Sequence, residues 1–129
     1  MDDFALIRLK RKVTDRRILD YRRNGQITRG TKLVVIGHPT GLPTKIADGA
    51  SVRSLSRMHF TADLDTYGGN SGSAVFNAET GVVEGILVRG ATDYVYNSSQ
   101  GCSESNILGQ NAGRGEDVTY ITNIPELKK

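Results

Sequence analysis

Short apolar runs, separated by glycine-rich and polar turns, fill most of the chain. These runs predict strands over 32–37, 46–55, 58–64, 72–76, 82–88 and 117–124. The polar stretch 77–81 between two of the runs predicts a hairpin turn. Six short strands at this spacing are typical of a small antiparallel barrel, so the fold class is predicted to be all-β.

The remaining parts of the chain differ in character. Residues 4–9 form an almost continuous apolar run, which predicts a short and largely buried strand. Residues 10–31 are polar, and Asn24-Gly25 marks a turn within them. Residues 97–116 are rich in Ser, Asn and Gly, so we expect a long loop there.

Length and composition set the broad class. The chain has 129 residues, 15 glycines and no tryptophan, which suits a single core built from strands and tight turns. No apolar stretch approaches the length of a membrane-spanning helix, so no membrane partner is expected. Cys102, the single cysteine, is either a lone loop thiol or the partner of a cysteine outside this sequence. The sequence predicts neither a metal nor another cofactor.

The net charge of +3 is mild, but the basic residues are unevenly distributed. Many crowd the N-terminal part of the chain: Arg8, Lys10, Arg11, Lys12, Arg16, Arg17, Arg22 and Arg23. Asp15 and Asp20 interrupt this run, and no aromatic platform for bases accompanies it. We therefore expect a solvated linker and no nucleic-acid partner.

The segment 65–73, Asp-Thr-Tyr-Gly-Gly-Asn-Ser-Gly-Ser, has the features of a serine nucleophile on a tight turn. Such a serine needs its hydroxyl projected from a bend, beside backbone N–H groups that stabilise an oxyanion. Gly69 and Gly72 flank Ser71 and permit that bend. An apolar, β-prone run follows, unlike the strand-to-helix elbow of other serine hydrolases. The alternative is an ordinary surface turn, because the same residue types dominate turns.

At this motif the chain resembles the chymotrypsin-fold serine peptidases, in the branch of bacterial trypsin-like and glutamyl-endopeptidase-like enzymes. The stretch 69–73, Gly-Asn-Ser-Gly-Ser, resembles their active-serine motif. Residues 3–9 are similar to their triad-aspartate strand, 34–43 to the opening strand of the second barrel, and 81–90 to the strand that walls the specificity pocket. The order of aspartate before serine also fits these peptidases.

The resemblance implies a particular architecture. Residues 1–31 would comprise the triad-aspartate strand and the crossover between two barrels, and residues 32–129 would form the second barrel. Two-barrel peptidases usually need about 200 residues or more. We therefore expect a C-terminal fragment of a secreted or periplasmic protein, or a reading frame that starts late. The face toward the missing N-terminal barrel would be exposed and would favour self-association.

The resemblance also implies a serine endopeptidase that hydrolyses polypeptide substrates through an acyl-enzyme on Ser71. The backbone N–H groups of Gly69 and Ser71 would form the oxyanion hole. Asp3 would orient the catalytic histidine, and Asp2 is the competing choice for this role.

The general base is the gap in this assignment. His38 and His59 are the only histidines, and neither precedes the aspartate, as the family order requires. His38 is expected to cap a loop, and His59 to pack or face solvent. The catalytic histidine would then lie on the missing barrel, and this chain alone would be inactive or nearly so. A non-catalytic peptide-binding module or dead peptidase is the alternative function.

The resemblance places a specificity pocket beside the serine. Asp65 matches the pocket-floor position that binds a basic P1 side chain in trypsin-like enzymes. Val88, Arg89 and Gly90 match the pocket wall and would offer backbone groups to an extended substrate. Relatives that prefer glutamate share the Asp-Thr pair but carry a histidine where this chain has Leu87 or a neighbour. Two alternatives stay open: Asp65 selects Lys or Arg, or Arg89 enters the pocket and pairs with Asp65.

Overall fold

The computed structural model describes residues 3–109 and 112–128, and within them eight strands form. They are β1 (Lys32–Gly37), β2 (Lys45–Leu55), β3 (His59–Ala62), β4 (Ala74–Asn77), β5 (Val83–Arg89), β6 (Tyr94–Asn97), β7 (Cys102–Ser105) and β8 (Glu116–Tyr120). Six of them close into an antiparallel barrel in the order β1-β2-β3-β8-β5-β4. This confirms the predicted all-β barrel. No helix in the described residues is long and apolar enough to cross a membrane.

Alternating side chains of the strands fill the barrel, as the period of a strand requires. In β1, for example, Leu33 and Val35 are buried, whereas Lys32 and Ile36 are exposed. The core consists of Ile27, Leu33, Val35, Ala50, Val52, Phe60, Ala62, Leu64, Val75, Leu87, Val118 and Tyr120. Closure of the barrel places β5 beside β8. The candidate site lies where these two strands meet the turn that carries Ser71.

The predicted strand over residues 4–9 is wrong. The segment forms no strand, and Leu6, Ile7 and Leu9 are 53%, 79% and 63% exposed. Phe4 is half-buried against a small apolar cluster outside the main core. The physical reason is that a strand needs an unpaired edge, and most of each strand in the closed barrel is already paired on both sides.

The polar segment before β1 is nevertheless attached to the barrel at β5. Tyr21 forms an isolated bridge with Val83. Arg22 makes a bidentate contact with Glu84, with Nε 2.5 Å from Oε2 and Nη2 2.9 Å from Oε1. Asn77 donates a further hydrogen bond to the same buried carboxylate at 3.0 Å. The hydrogen bond to Glu84 raises the pKa of Arg22, although burial opposes this. The ion pair therefore fixes the end of the crossover segment against β5.

The predicted long loop over residues 97–116 is also wrong in part, because β6 and β7 pair as an antiparallel hairpin. At its turn, the Asn97 side-chain oxygen accepts hydrogen bonds from the amides of Ser99 and Gln100. Gly101 supplies a positive φ of 68°. All four residues of β7 are exposed, so the strand lacks the apolar alternation by which strands are predicted.

Candidate active site

Ser71 lies on a tight turn that leads directly into β4, as predicted from the glycine-rich motif. The turn is held by hydrogen bonds from the Ser73 amide to the Asn70 carbonyl at 2.9 Å and from the Gly72 amide to the Leu87 carbonyl at 2.7 Å. Ser71 is exposed, and its hydroxyl donates a hydrogen bond to the Val88 carbonyl at 2.9 Å. The turn therefore presents a hydroxyl group at the end of β5.

The amides of Gly69 and Ser71 flank this hydroxyl. Within residues 3–109 and 112–128, neither amide has a hydrogen-bond partner. The Gly68 carbonyl accepts a hydrogen bond from the Thr40 amide at 2.7 Å. Because carbonyl and N–H point in opposite directions across a trans peptide, this bond directs the Gly69 N–H away from Thr40. Both amides are thus available to an incoming oxyanion.

Glycine is required at position 69 for two reasons. Its φ of +95° lies in the region that side chains disfavour. A Cβ there would also stand 3.0 Å from the Thr40 nitrogen and 3.2 Å from the His38 oxygen. Thr40 has a φ of +50°, which places its amide against the Gly68 carbonyl. The 38–40 segment therefore packs directly against the turn that carries Gly69.

Asn70 is buried beneath the serine turn. Its side-chain amide donates to the Tyr67 carbonyl at 3.0 Å, and its oxygen lies against Gly37. A Cβ at Gly37 would overlap that oxygen, so this glycine makes room for the amide. The neutral Asn70 side chain is therefore part of the packing that holds the turn.

Asp3 is exposed and lines a small cavity with Met58, His59, Val88, Arg89, Asp117 and Thr119. Val88 lines this cavity and also accepts the hydrogen bond from Ser71. Val88 of β5 therefore borders Asp3 and contacts Ser71, the two residues predicted to belong to a triad. Asp2, the competing choice for the aspartate, lies outside the described residues.

Both histidines have polar partners other than the serine, and His59 lines the same cavity as Asp3 and Val88. His38 is exposed in the loop after β1, with Nε2 2.9 Å from the Thr44 hydroxyl. His59 is half-buried on β3, with Nε2 3.5 Å from Asp117 Oδ1. Neither forms a hydrogen bond with Ser71 in the described part of the chain, so no imidazole there is bonded to the serine hydroxyl.

A cavity of about 40 Å³ lies beside Ser71. Of the three residues expected in the pocket wall, Arg89 and Gly90 line it; Val88 does not, although it accepts the hydrogen bond from Ser71. Asp65 does not line this cavity; it is exposed and lines a larger neighbouring one of about 420 Å³. Two carboxylates that the motif did not indicate, those of Asp93 and Glu116, line both cavities.

The side chain of Arg89 pairs with Asp117, so the predicted alternative of an Arg89–Asp65 pair is wrong. Its Nε lies 2.9 Å from Asp117 Oδ2, and Arg114 pairs with the same carboxylate oxygen. Burial by itself would raise the pKa of Asp117. The hydrogen bond from Arg89, together with the nearby His59 and Arg114, outweighs burial and lowers the pKa. Asp117 is therefore held as a carboxylate.

Glu116 begins β8 and is 8% exposed. Its carboxylate lies where a Cβ of Gly90 would stand, and Oε1 accepts a hydrogen bond from the Ala91 amide at 3.3 Å. Burial raises the pKa of Glu116, although the Ala91 hydrogen bond opposes this, and the neighbouring Asp93 raises it further. Sequence reasoning missed Glu116 because no motif marks it. Only the pairing of β5 with β8 brings it next to Gly90.

Comparison with known families gives one match. The family model of the trypsin-like peptidase domain matches residues 1–86. That range includes Asp3, Asp65, Gly69 and Ser71, and it ends before the pocket wall at 88–90. A search of curated proteins gives no match.

Proposed function

Since the chain belongs to the trypsin-like peptidase domain family, we propose that it carries the nucleophile of a serine endopeptidase that works through an acyl-enzyme on Ser71. The main support is the placement of the Ser71 hydroxyl. It is exposed on a tight turn, between amides that have no partner in the described residues. Together these groups can attack a peptide carbonyl and hold the oxyanion that forms.

The proposed reaction runs as follows. The Ser71 oxygen attacks the carbonyl carbon of the scissile peptide while a histidine takes the hydroxyl proton. The amides of Gly69 and Ser71 hold the negative oxygen, and collapse of the intermediate expels the amine with that proton. Water then hydrolyses the ester by the same route in reverse. To act as the base, an imidazole must replace the Val88 carbonyl as the acceptor of the Ser71 proton.

The histidine in this proposal comes from polypeptide outside the 129 residues, namely a first barrel. His38 and His59 each contact other polar partners, the Thr44 hydroxyl and the Asp117 carboxylate. Asp3 stands beside Val88, where it would orient an imidazole that reaches Ser71. The isolated chain is therefore proposed to have little or no activity.

A docking face for the first barrel is proposed on the crossover segment. Its exposed apolar side chains are Leu6, Ile7, Leu9, Val13, Ile18 and Leu19. Exposed apolar groups in such number favour burial against another protein surface. In the absence of the first barrel, the same face is proposed to drive self-association.

The second candidate is a non-catalytic peptide-binding module. It is favoured by the hydrogen bond from Ser71 to Val88, which leaves the hydroxyl resting on a carbonyl instead of a base. In this alternative the end of β5 would still bind an extended peptide. The two candidates differ in the chemistry of Ser71.

Labelling with a serine-directed fluorophosphonate tests this difference. The chain joined to a histidine-bearing first barrel is treated with the reagent, and the adduct is mapped by mass spectrometry. We expect the adduct on Ser71, its loss in Ser71→Ala, and its retention in Ser73→Ala, a matched change in the same turn. Absence of labelling in a folded, joined protein would support the non-catalytic alternative.

A further inference from the structure

The geometry points to Glu116, and not Asp65, as the carboxylate that selects the substrate: the pocket beside Ser71 accepts a cationic P1 side chain, whose charge contacts Glu116. This assignment rests on the function proposed above, because it names the substrate class of the same site. It is carried by the position of Glu116, by its lack of an ion pair among the described residues and by its acidic neighbour Asp93.

The first observation is the position of Glu116 in the cavity beside Ser71. The cavity next to Ser71 is bounded by Gly68 and Asn70 on the side of the serine turn and by Gly90 and Glu116 on the other. Glu116 lines both this cavity and the larger neighbouring one, whereas Asp65 lines only the larger one. A side chain that occupies the cavity beside Ser71 therefore borders Glu116 and not Asp65.

The shape of the wall fits this role. Glycine at position 90 leaves the space that the Glu116 carboxylate occupies, since a Cβ there would overlap the carboxylate. The Ala91 amide fixes one oxygen at 3.3 Å. The carboxylate is thereby held against the pocket wall and remains on the surface of the cavity.

In the described residues no cation bonds directly to Glu116; Arg114, which lies near enough to oppose the rise in the pKa of Glu116, pairs with Asp117. Among the described residues, Glu116 forms no ion pair, while its neighbour Asp117 pairs with both Arg89 and Arg114. A buried carboxylate without a counter-ion is unfavourable. The ammonium of a lysine or the guanidinium of an arginine at P1 would supply the missing charge.

Asp93 strengthens the selection. It lines the same cavity and accepts a hydrogen bond from the Gly68 amide at 2.6 Å. Arg89 also lines this cavity, but its charge is paired with Asp117. The two carboxylates therefore attract a cation and repel an acidic side chain. The pocket should therefore reject glutamate and aspartate at P1.

Ligand binding tests the assignment without any need for catalysis. Butylguanidinium, a mimic of the arginine side chain, and butylurea, its neutral analogue, are titrated into the ¹⁵N-labelled chain. Amide shifts of Gly90 and Ala91 report occupation of the pocket. We expect butylguanidinium to bind at least tenfold more tightly than butylurea. Glu116→Gln should abolish this preference, whereas Asp65→Asn should keep it. Asp48→Asn, an exposed carboxylate of the larger cavity, is the matched control.

Equal binding of the two ligands, or loss of the preference in Asp65→Asn with retention in Glu116→Gln, would overturn the assignment. If Glu116→Gln does not fold, Glu116→Asp replaces it in the test. This variant keeps the charge but shortens the side chain, and it should weaken the preference for butylguanidinium at least threefold. The outcome is independent of the proposed reaction, since binding needs neither the histidine nor the nucleophile. Failure of Ser71 labelling would sink the peptidase mechanism and leave the pocket result standing.

Discussion

The Ser71 hydroxyl lies 2.9 Å from the Val88 carbonyl oxygen and donates a hydrogen bond to it. Val88 also lines the cavity that contains Asp3. One residue of β5 therefore contacts the nucleophile and borders the aspartate that would orient its base. An imidazole that engages the serine would have to displace this hydrogen bond.

Replacement of Gly69 by alanine should destabilise the chain and disrupt the oxyanion loop. Gly72 is the matched control, because its φ of +90° is similar but no atom lies within 4 Å of an added Cβ. Backbone strain alone should cost about 1–2 kcal/mol in Gly72→Ala. Gly69→Ala adds the approach to the Thr40 nitrogen and should lower the free energy of unfolding further in urea denaturation. Equal losses in the two variants would contradict the proposed role of the 38–40 segment.

Removal of the Arg22 side chain should release the crossover segment from β5. Arg22→Ala leaves the buried Glu84 carboxylate without its counter-ion, which should cost about 3–5 kcal/mol. Arg16→Ala is the control, since its pair with Asp15 is exposed and should contribute about 0–1 kcal/mol. Urea denaturation of both variants measures the difference. A loss in Arg22→Ala no larger than that in Arg16→Ala would show that the ion pair does not anchor the segment.

Asp117 should make stability depend on pH. Its pKa is lowered in the folded state, so its contribution is full above the ordinary value of 3.8 and is lost as the pH falls through the lower folded value. Asp117→Asn weakens the bonds to Arg89 and Arg114 and should cost about 1.5–3 kcal/mol at neutral pH.

The loss of unfolding free energy in Asp117→Asn should become smaller in acid, because the wild-type carboxylate is then also uncharged. Urea denaturation at a series of pH values checks this, with the exposed Asp48→Asn as a control that should stay within about 0.5 kcal/mol of wild type. A deficit that stays constant from neutral pH into strong acid would show that the charge of Asp117 is not responsible.

The exposed apolar side chains between Leu6 and Leu19, proposed above as a docking face, should drive self-association of the isolated chain. Ile7 and Ile18 are 79% and 87% exposed on it. Sedimentation velocity should show a concentration-dependent dimer that the double substitution Ile7→Ser/Ile18→Ser converts to monomer. Leu42→Ser, a change of an exposed leucine in the loop after β1, should leave the dimer intact. A wild-type chain that stays monomeric at all concentrations would contradict the prediction.

Much of the barrel follows from the sequence because strand period and turn residues are local signals. β1 was predicted to the residue, and the glycine turn at Ser71 was predicted from its motif. The error at residues 4–9 has a non-local cause, since an apolar run cannot show that most of each barrel strand is already paired on both sides. The β6–β7 hairpin was missed because its second strand is wholly exposed.

Only those site residues that lie within local sequence motifs could be predicted. Ser71, Arg89 and Gly90 lie within or near recognisable motifs, and all three line one small cavity in the structure. Glu116 joins them through the register of β5 and β8, which no sequence motif encodes. The pairing of Arg89 with Asp117 depends on that same register.

The central claim, that Ser71 is the nucleophile of an acyl-transfer reaction, is tested most directly by trapping the acyl-enzyme. The chain joined to its histidine-bearing barrel is mixed with a p-nitrophenyl ester, quenched in acid during the burst and analysed by peptide mass. We predict one acyl group, located on Ser71 and absent from Ser71→Ala. An acyl group on another residue, or continued turnover by Ser71→Ala, would contradict the claim.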